Sequence, residues 1–182
     1  MTTFQTHTIE SAPEQSRALL NNAKANYGFV PNLFANMAES PALLEGYLAL
    51  TQIFNKTSLS ETEKQIIMMT ANRLHHCDYC MAAHTTIAKA AVSADVIRAL
   101  RDNTPIADSK LETLRQFTIQ VVTSRGWPTQ QEIASLIAAG YSQQTVFDVI
   151  LGTSLKIMSN YTTSVAHTEL DEVFKADIWQ AA

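Results

Sequence analysis

The sequence predicts an all-α protein that folds as a single-domain helical bundle. Of its 182 residues, 46% are hydrophobic and 16% are charged, which is enough apolar material for one sizeable core. Five glycines and five prolines are few for this length, and no long stretch alternates apolar and polar residues, so tight turns and amphipathic strands are scarce. Several segments instead repeat apolar residues every three or four positions, which is the period of an α-helix.

Glycine and proline delimit the first three predicted helices. A fairly polar helix covers 11–27 and ends at Gly28, whose missing Cβ suits the left-handed backbone of a helix end. An apolar loop leads to a short helix at 33–37, and Pro41 fits the first turn of a third helix, which continues to Asn55. One face of this third helix is predicted to be buried, because apolar and small residues recur there at helical spacing: Leu43, Leu44, Tyr47, Leu48, Thr51 and Phe54.

Side-chain caps mark the beginnings of the later helices. Ser60 followed by Glu63 has the spacing of a capping box, and the helix that it opens runs toward His75 and His76. The alanine-rich stretch 77–92 predicts the next helix. The remaining predicted helices begin after Ser93, cover 109–124, run from the Thr129 and Glu132 capping box to Gly140, and run from Ser142 through Met158.

Charge and hydropathy exclude two broad classes of partner. A net charge of −4 with no basic stripe argues against a sequence-independent grip on nucleic acid, which needs Lys and Arg against phosphates. The polar segment 1–9 lacks the features of a secretion signal, and no run of about eighteen apolar residues is present to span a bilayer. We therefore expect a soluble, cytoplasmic protein with no nucleic-acid or membrane partner.

The two cysteines lie in the stretch His-His-Cys-Asp-Tyr-Cys-Met-Ala-Ala-His at 75–84. On one continuous helix, Cys77, Cys80 and His84 are spaced three and four residues apart and therefore share one face. Peroxide reduction needs a thiolate, a second thiol that resolves the sulfenic acid, and a base that removes the proton. The spacing therefore predicts a redox site, in which the histidine is the base and the helix N-terminus favours the thiolate.

A zinc site is the main alternative to redox chemistry. Cys77, Cys80 and His84, with His75 or His76 as a fourth ligand, have acceptable ligand types for tetrahedral zinc. Structural zinc usually organises small domains that lack a core, however, and this chain has ample apolar residues. We therefore expect no metal and no organic cofactor. A chance spacing of the two cysteines is the remaining alternative, and the methionines Met68, Met69 and Met81 are expected to fill the core.

The residues around the cysteines resemble a known family. The segment 59–67, the triplet 72–74 and the segment 77–85 together resemble the core of the carboxymuconolactone decarboxylase superfamily, in its alkylhydroperoxidase D-like (AhpD-like) branch. The segments 28–34 and 40–44 resemble the leader of longer members, and residues 151–161 resemble their C-terminal helix. The resemblance implies one domain over 1–182, with a leader at 1–39, a core at about 40–125 and C-terminal helices at 129–182. It also implies that a helical hairpin carries the CxxC pair at the start of a helix.

The resemblance implies an activity and partners as well. These are a thiol-dependent peroxidase activity, a hydroperoxide substrate, an external dithiol or thioredoxin-like reductant, and assembly into a trimer or hexamer. In the peroxidase members the second cysteine attacks the peroxide and the first resolves it, which assigns these roles to Cys80 and Cys77. A carboxymuconolactone decarboxylase, whose activity does not depend on a cysteine pair, and a non-catalytic redox-sensing oligomer are the alternatives.

The proton relay of the family maps onto this sequence with one departure. His84 and Tyr79 match relay positions, although the Tyr79 ring can equally serve to pack the core. The relay glutamate of the family corresponds to Gln65, which can hydrogen-bond but cannot pass on a proton. Glu63 is the nearest substitute, and it is also the capping-box partner of Ser60.

Overall fold

The computed structural model describes residues 3–180, and every regular element in that range is a helix. The buried residues form one hydrophobic core, so the predicted all-α, single-domain fold is confirmed. The α-helices are α1 (Glu14–Tyr27), α2 (Asn32–Met37), α3 (Pro41–Asn55), α4 (Glu61–Leu74), α5 (Asp78–Ala88), α6 (Ala94–Asp102), α7 (Ser109–Thr123), α8 (Gln130–Ala138) and α9 (Gln143–Ala166), followed by a 3₁₀ helix at Glu172–Asp177. Positions 1, 2, 181 and 182 of the predicted domain lie outside the described residues, and its division into leader, core and C-terminal helices stays a prediction.

Several helix ends differ from the sequence-based expectation. The first helix, predicted from residue 11, begins at Glu14. The helix predicted over 77–92 begins only at Asp78, because Cys77 is its N-cap, and it ends at Ala88. The chain then turns so that Ser93 can cap α6, where its hydroxyl accepts a hydrogen bond from the Val96 N–H. The last α-helix continues past Met158 to Ala166, and the 3₁₀ helix after it was not predicted. No helix within residues 3–180 is both long and apolar enough to cross a membrane.

The helix α4 lies at the centre of the bundle. Nine consecutive residues of it, Lys64 to Asn72, are buried, and it packs against α5, α7 and α9. A helix that is buried on all sides needs apolar residues around its whole circumference, as Ile66, Ile67 and Met69 provide. The expected core role of the methionines is confirmed, since Met68, Met69 and Met81 are all buried.

Close packing at Gly152 brings α9 against α3 and α4. A Cβ atom added at Gly152 would lie 2.8 Å from side-chain atoms of both Phe54 and Ile67, which is nearer than real Cβ contacts. Only glycine therefore permits this approach without a shift of the neighbouring side chains. One turn further along α9, the same face carries Lys156 and Asn160 into the interior of the bundle.

A tight corner joins α4 to α5 and places the cysteine pair. His76 adopts a left-handed backbone with φ of 52°. The His76 N–H then donates to the Arg73 carbonyl, and the Cys77 N–H donates to the Asn72 carbonyl. This pair of hydrogen bonds is the pattern of a Schellman motif. Because α4 and α5 pack against each other, the predicted helical hairpin with CxxC at the start of its second helix is confirmed.

Candidate active site

The two cysteines lie at the N-terminus of α5 as a cap and a first-turn residue. Cys77 is the N-cap, and its Sγ accepts a hydrogen bond of 3.3 Å from the Cys80 N–H. The expectation that both cysteines and His84 belong to one continuous helix is corrected for Cys77, since its backbone is extended. Both thiols are free and buried, with 6% of Cys77 and 2% of Cys80 exposed. The three-residue spacing nevertheless holds the two sulfur atoms together at the start of the helix.

Cys80 lies in surroundings that favour a thiolate. Burial raises the pKa of Cys80, but a hydrogen bond from the Cys77 thiol, the charge of Lys156, and hydrogen bonds with Asn160 and Ser159 lower it, and the balance brings it to about 6. The N-terminal end of the α5 dipole adds a favourable partial positive charge at the same position. A large fraction of Cys80 is therefore ionised at neutral pH.

Cys77 lies in the opposite electrostatic situation. Its hydrogen bond to Cys80, its burial and the negative charge of Cys80 all raise the pKa of Cys77. Its Sγ also lies 3.1 Å from the Thr163 hydroxyl oxygen. The proton of the pair therefore stays on Cys77, and only Cys80 is a nucleophile at neutral pH.

A line of three side chains runs from α9 to α4 beside Cys80. Lys156 Nζ donates to His84 Nε2 over 3.0 Å, and His84 Nδ1 lies 2.9 Å from the Gln65 side-chain oxygen. Burial and the charge of Lys156 hold the pKa of His84 well below its usual value, so its ring is neutral. In that tautomer Nδ1 donates to Gln65 and Nε2 accepts from Lys156. The predicted role of His84 as the base stays a prediction, and both of its ring nitrogens are occupied in this arrangement.

Lys156 is a site residue that the search for chemical motifs missed. It is only 1% exposed, and it belongs to the buried stripe of α9. The sequence contained a signal for it. Lys156 lies at helical spacing from residues that are small, amide-bearing or apolar, and these residues form the buried stripe of α9: Val149, Gly152, Thr153, Ser159, Asn160 and Thr163. A lysine on a buried stripe is rare unless it has a partner, so its position indicates a buried polar partner elsewhere in the bundle.

The other two predicted site residues have partners away from the sulfur atoms. The Tyr79 hydroxyl donates to Asp171 over 2.6 Å and accepts from the Leu33 N–H, and burial together with Asp171 raises its pKa. The Glu63 carboxylate accepts from both the N–H and the hydroxyl of Ser60, each over 2.8 Å, which confirms the capping box. Gln65, and not Glu63, is thus the residue that contacts His84.

An apolar cavity of about 360 Å³ lies above Cys80. His84, Lys156 and Gln65 supply its polar atoms next to the sulfur. The remainder of its wall is mostly apolar, with Thr51, Asn55 and Glu61 as polar exceptions, and includes aromatic rings from Tyr27, Phe29, Phe34, Tyr47, Phe54 and Phe174. A cavity with an apolar wall and a few polar atoms at one end suits an organic molecule whose reactive group lies against Cys80.

The side chains of the zinc alternative do not converge. Among residues 3–180, no three or more His, Cys, Asp or Glu side chains group so that they could hold a metal ion. His84 directs its nitrogens to Lys156 and Gln65, and His75 Nδ1 lies 2.9 Å from the Asn160 side-chain oxygen. The donor set Cys77, Cys80 and His84 is therefore arranged for hydrogen bonding and not for coordination.

The all-α fold of the chain is the fold of AhpD-like proteins. The chain is similar to a structure described as an alkylhydroperoxidase AhpD core, an uncharacterized peroxidase-related protein from Ralstonia eutropha JMP134, with a TM-score of 0.83 and 18% identity over 94% of this chain and 93% of that one. An uncharacterized peroxidase-related protein from Silicibacter sp. TM1040 matches with a TM-score of 0.79 and 16% identity over 94% and 93% of the two chains.

The debrominase Bmp8 has the same fold. It matches with a TM-score of 0.79 and 16% identity over 97% of this chain and 96% of that one, both in its apo form and as a cysteine-to-alanine variant in complex with 2,3,4-tribromopyrrole. The family model described as the carboxymuconolactone decarboxylase family matches residues 41–112, so the predicted family resemblance is confirmed for the segment that carries the cysteine pair. No curated protein matches the chain.

Proposed function

We propose that this protein is a thiol-dependent peroxidase that cycles the Cys77 and Cys80 pair between dithiol and disulfide. One observation carries the proposal: the Cys80 sulfur lines an apolar cavity, and the Cys77 thiol and the Lys156 charge lower its pKa to about 6. A nucleophilic thiolate beside a proton-bearing second thiol is what two-cysteine peroxide reduction requires. The fold of the neighbouring peroxidase-related proteins supports the same activity.

The reaction consists of two balanced steps. The Cys80 thiolate attacks the terminal oxygen of a hydroperoxide, which breaks the O–O bond, forms Cys80 sulfenic acid and releases the alkoxide, which becomes an alcohol on protonation. Formation of the sulfenic acid removes the negative charge of Cys80, so Cys77 can then lose its proton and attack the sulfenic sulfur as a thiolate. The hydroxyl group leaves with that proton as water, and a disulfide forms. The sum is one hydroperoxide and two thiols converted to one alcohol, one water and one disulfide.

In this proposal Lys156 and His84 supply the proton for the leaving alkoxide. The Lys156 ammonium lies in the wall of the cavity beside Cys80 and donates to His84. Gln65 ends this line, and an amide cannot take up a proton from the imidazole. In this proposal the proton returns to Lys156 from solvent or from the reductant between turnovers. A carboxylate at position 65 would provide a proton donor in direct contact with His84.

A peroxide-consumption assay with a dithiol donor tests the proposal on the native chain and two serine variants. Cys80→Ser is expected to abolish peroxide consumption, because no other thiolate lies in the cavity. Cys77→Ser is expected to retain one turnover and to accumulate Cys80 sulfenic acid and its over-oxidised forms, which mass spectrometry detects. The exchanged phenotypes would reverse the assignment of the two roles, and undiminished consumption by Cys80→Ser would refute the function.

The same assay separates the remaining alternatives. A redox sensor stops after one equivalent of peroxide, whereas a peroxidase consumes many equivalents as long as the dithiol lasts. A lactone decarboxylase that does not use the cysteine pair would keep its activity in Cys80→Ser. Cytoplasmic location and assembly into trimers or hexamers remain predictions, and light scattering on the purified chain measures the oligomeric state.

The aromatic wall of the cavity favours one second candidate, the reductive removal of bromine from an aromatic ring. Here the Cys80 thiolate would take the bromine, a proton would replace it on the ring, and Cys77 would displace bromide to form the disulfide. The sum is one aryl bromide and two thiols converted to one arene, hydrogen bromide and one disulfide. The neighbouring debrominase supports the candidate by fold alone. Bromide release from a bromopyrrole with a dithiol present, measured beside peroxide consumption, decides between the two substrates.

A further inference from the structure

We propose that the two thiols have separate entrances, so that the hydroperoxide reaches Cys80 through the apolar cavity and a dithiol reductant reaches Cys77 through a polar pocket. The polar pocket consists of the space lined by His75, His76, Asn160 and His167 next to Cys77. This inference rests on the proposed peroxidase function and adds a binding site for the second substrate.

The walls of the two cavities carry the inference. Cys80 lines the apolar cavity and is absent from the wall of the polar pocket, while Cys77 lines the polar pocket and is absent from the wall of the apolar cavity. The polar pocket has a volume of about 320 Å³. Tyr79, the residue between the two cysteines, lines both spaces and forms the partition. Its hydroxyl donates to Asp171 and accepts from the Leu33 N–H, so the ring that forms the partition is anchored at its hydroxyl end.

The chemistry of disulfide exchange favours attack at Cys77. A thiolate of the reductant that attacks Cys77 Sγ forms a mixed disulfide and expels Cys80 as the thiolate that Lys156 stabilises, which is the better leaving group. The second thiol of the reductant then attacks the reductant sulfur that is bonded to Cys77. This attack releases Cys77, which takes up a proton. The disulfide of the protein is thereby reduced, and the dithiol becomes a cyclic or intramolecular disulfide.

A base for the incoming thiol lies in the polar pocket. The Asn160 amide nitrogen donates to the Asn72 side-chain oxygen over 2.9 Å, so the Asn160 oxygen is the group that faces His75 and must accept from its Nδ1. This hydrogen bond orients the His75 ring at its Nδ1 atom. Histidine is the side chain that most often acts as a general base.

Two pairs of variants test the inference in separate half-reactions. Ser164→Trp fills the polar pocket from an exposed position of α9. Its control is Ser154→Trp, at another exposed position of α9 outside the walls of both cavities. Ile87→Trp narrows the apolar cavity, and Ile53→Trp, at a residue of nearly equal exposure outside both walls, is its control. Rapid-quench thiol trapping follows disulfide formation by cumene hydroperoxide, and separately the reduction by dithiothreitol of protein oxidised beforehand with diamide.

We expect Ser164→Trp to slow the reduction of the disulfide by about tenfold or more, while its formation stays within about twofold of the native rate. We expect Ile87→Trp to slow disulfide formation by about tenfold or more, while reduction stays within about twofold. The reason is that access to the sulfur limits each exchange. Equal slowing of both half-reactions by either variant, or no effect of Ser164→Trp on reduction, would overturn the separate entrances. If cumene hydroperoxide forms no disulfide in the native chain, the proposed function fails, while the diamide arm still reports on the polar pocket. Repeating that arm with thioredoxin shows whether the dithiol is carried by a small molecule or by a protein.

Discussion

Replacement of Lys156 by methionine tests the electrostatic basis of the site directly. Methionine has a similar volume, so Lys156→Met removes the charge without leaving a cavity. The pKa of Cys80 is about 6 with the lysine present, against an ordinary thiol value of 9.0, and burial alone would raise it further. At pH 7 a thiol with a pKa near 6 is about 90% ionised and one with a pKa near 9 about 1%, so complete loss of the stabilisation would lower the thiolate fraction by about 100-fold. Because the hydrogen bonds of Cys77, Asn160 and Ser159 remain, we expect Lys156→Met to lower the thiolate fraction of Cys80 by about tenfold or more at pH 7. Each factor of ten corresponds to about 1.4 kcal/mol.

The assay is the pH dependence of the rate at which iodoacetamide alkylates Cys80, measured on the Cys80 peptide by mass spectrometry with Cys77 left in place so that its hydrogen bond remains. With Lys156 present the rate should rise as the pH increases through the pKa of Cys80 and then level off, because only the thiolate reacts. With Lys156→Met the rise should shift to higher pH and peroxide consumption at pH 7 should fall in proportion. Lys64→Met is the matched control, since Lys64 is also buried in the bundle but is bound to Glu61 and the Asn55 carbonyl. An unchanged profile in Lys156→Met, or an equal shift in Lys64→Met, would refute the assignment.

Three further predictions follow from contacts of single residues. Gln65→Glu is expected to raise peroxide consumption at steady state, because a carboxylate there accepts the His84 N–H and can also pass on a proton; no change would show that another group already supplies it. Gly152→Ala is expected to lower the free energy of unfolding by about 1–3 kcal/mol in urea titrations, since its methyl group would overlap Phe54, and an unchanged midpoint would contradict the close packing of α9. His76→Gly is expected to raise the free energy of unfolding by about 1 kcal/mol, because glycine adopts the left-handed backbone without strain, and a destabilised variant would mean that the imidazole contributes packing.

Most of the fold follows from local signals in the sequence. The capping boxes at Ser60 and Thr129, the proline at the first turn of α3 and the glycine after α1 all lie at the predicted ends of helices. These signals are reliable because a cap satisfies backbone groups of its own helix and needs no distant partner. The 3₁₀ helix at Glu172–Asp177 has no such signal. It is held by contacts from elsewhere in the chain, such as the Asp177 carboxylate with Thr86 and Lys89.

The candidate site was predictable only as far as its residues are neighbours in sequence. The pair Cys77 and Cys80 and the histidine one turn later were found by spacing, since a helix fixes their relative positions. Lys156 lies 72 residues from His84, and no local rule relates the two. Asp171, which holds the Tyr79 hydroxyl, is 92 residues away from it. Both partners come from the C-terminal part of the chain, outside the segment that matches the family model.

The unequal roles of the two thiols arise from where a helix begins. At the N-cap position Cys77 presents its sulfur to the Cys80 N–H, and this acceptor role is the one that serine or aspartate usually fills. At the third helical position Cys80 lies within the first turn, where the helix dipole favours negative charge, and on the side of α5 that faces α9. Two cysteines three residues apart across a helix start are therefore already inequivalent before any partner is added. The buried ammonium of Lys156 increases a difference that the backbone has set, and it does so on the side of the apolar cavity, where an organic substrate would meet the ionised sulfur.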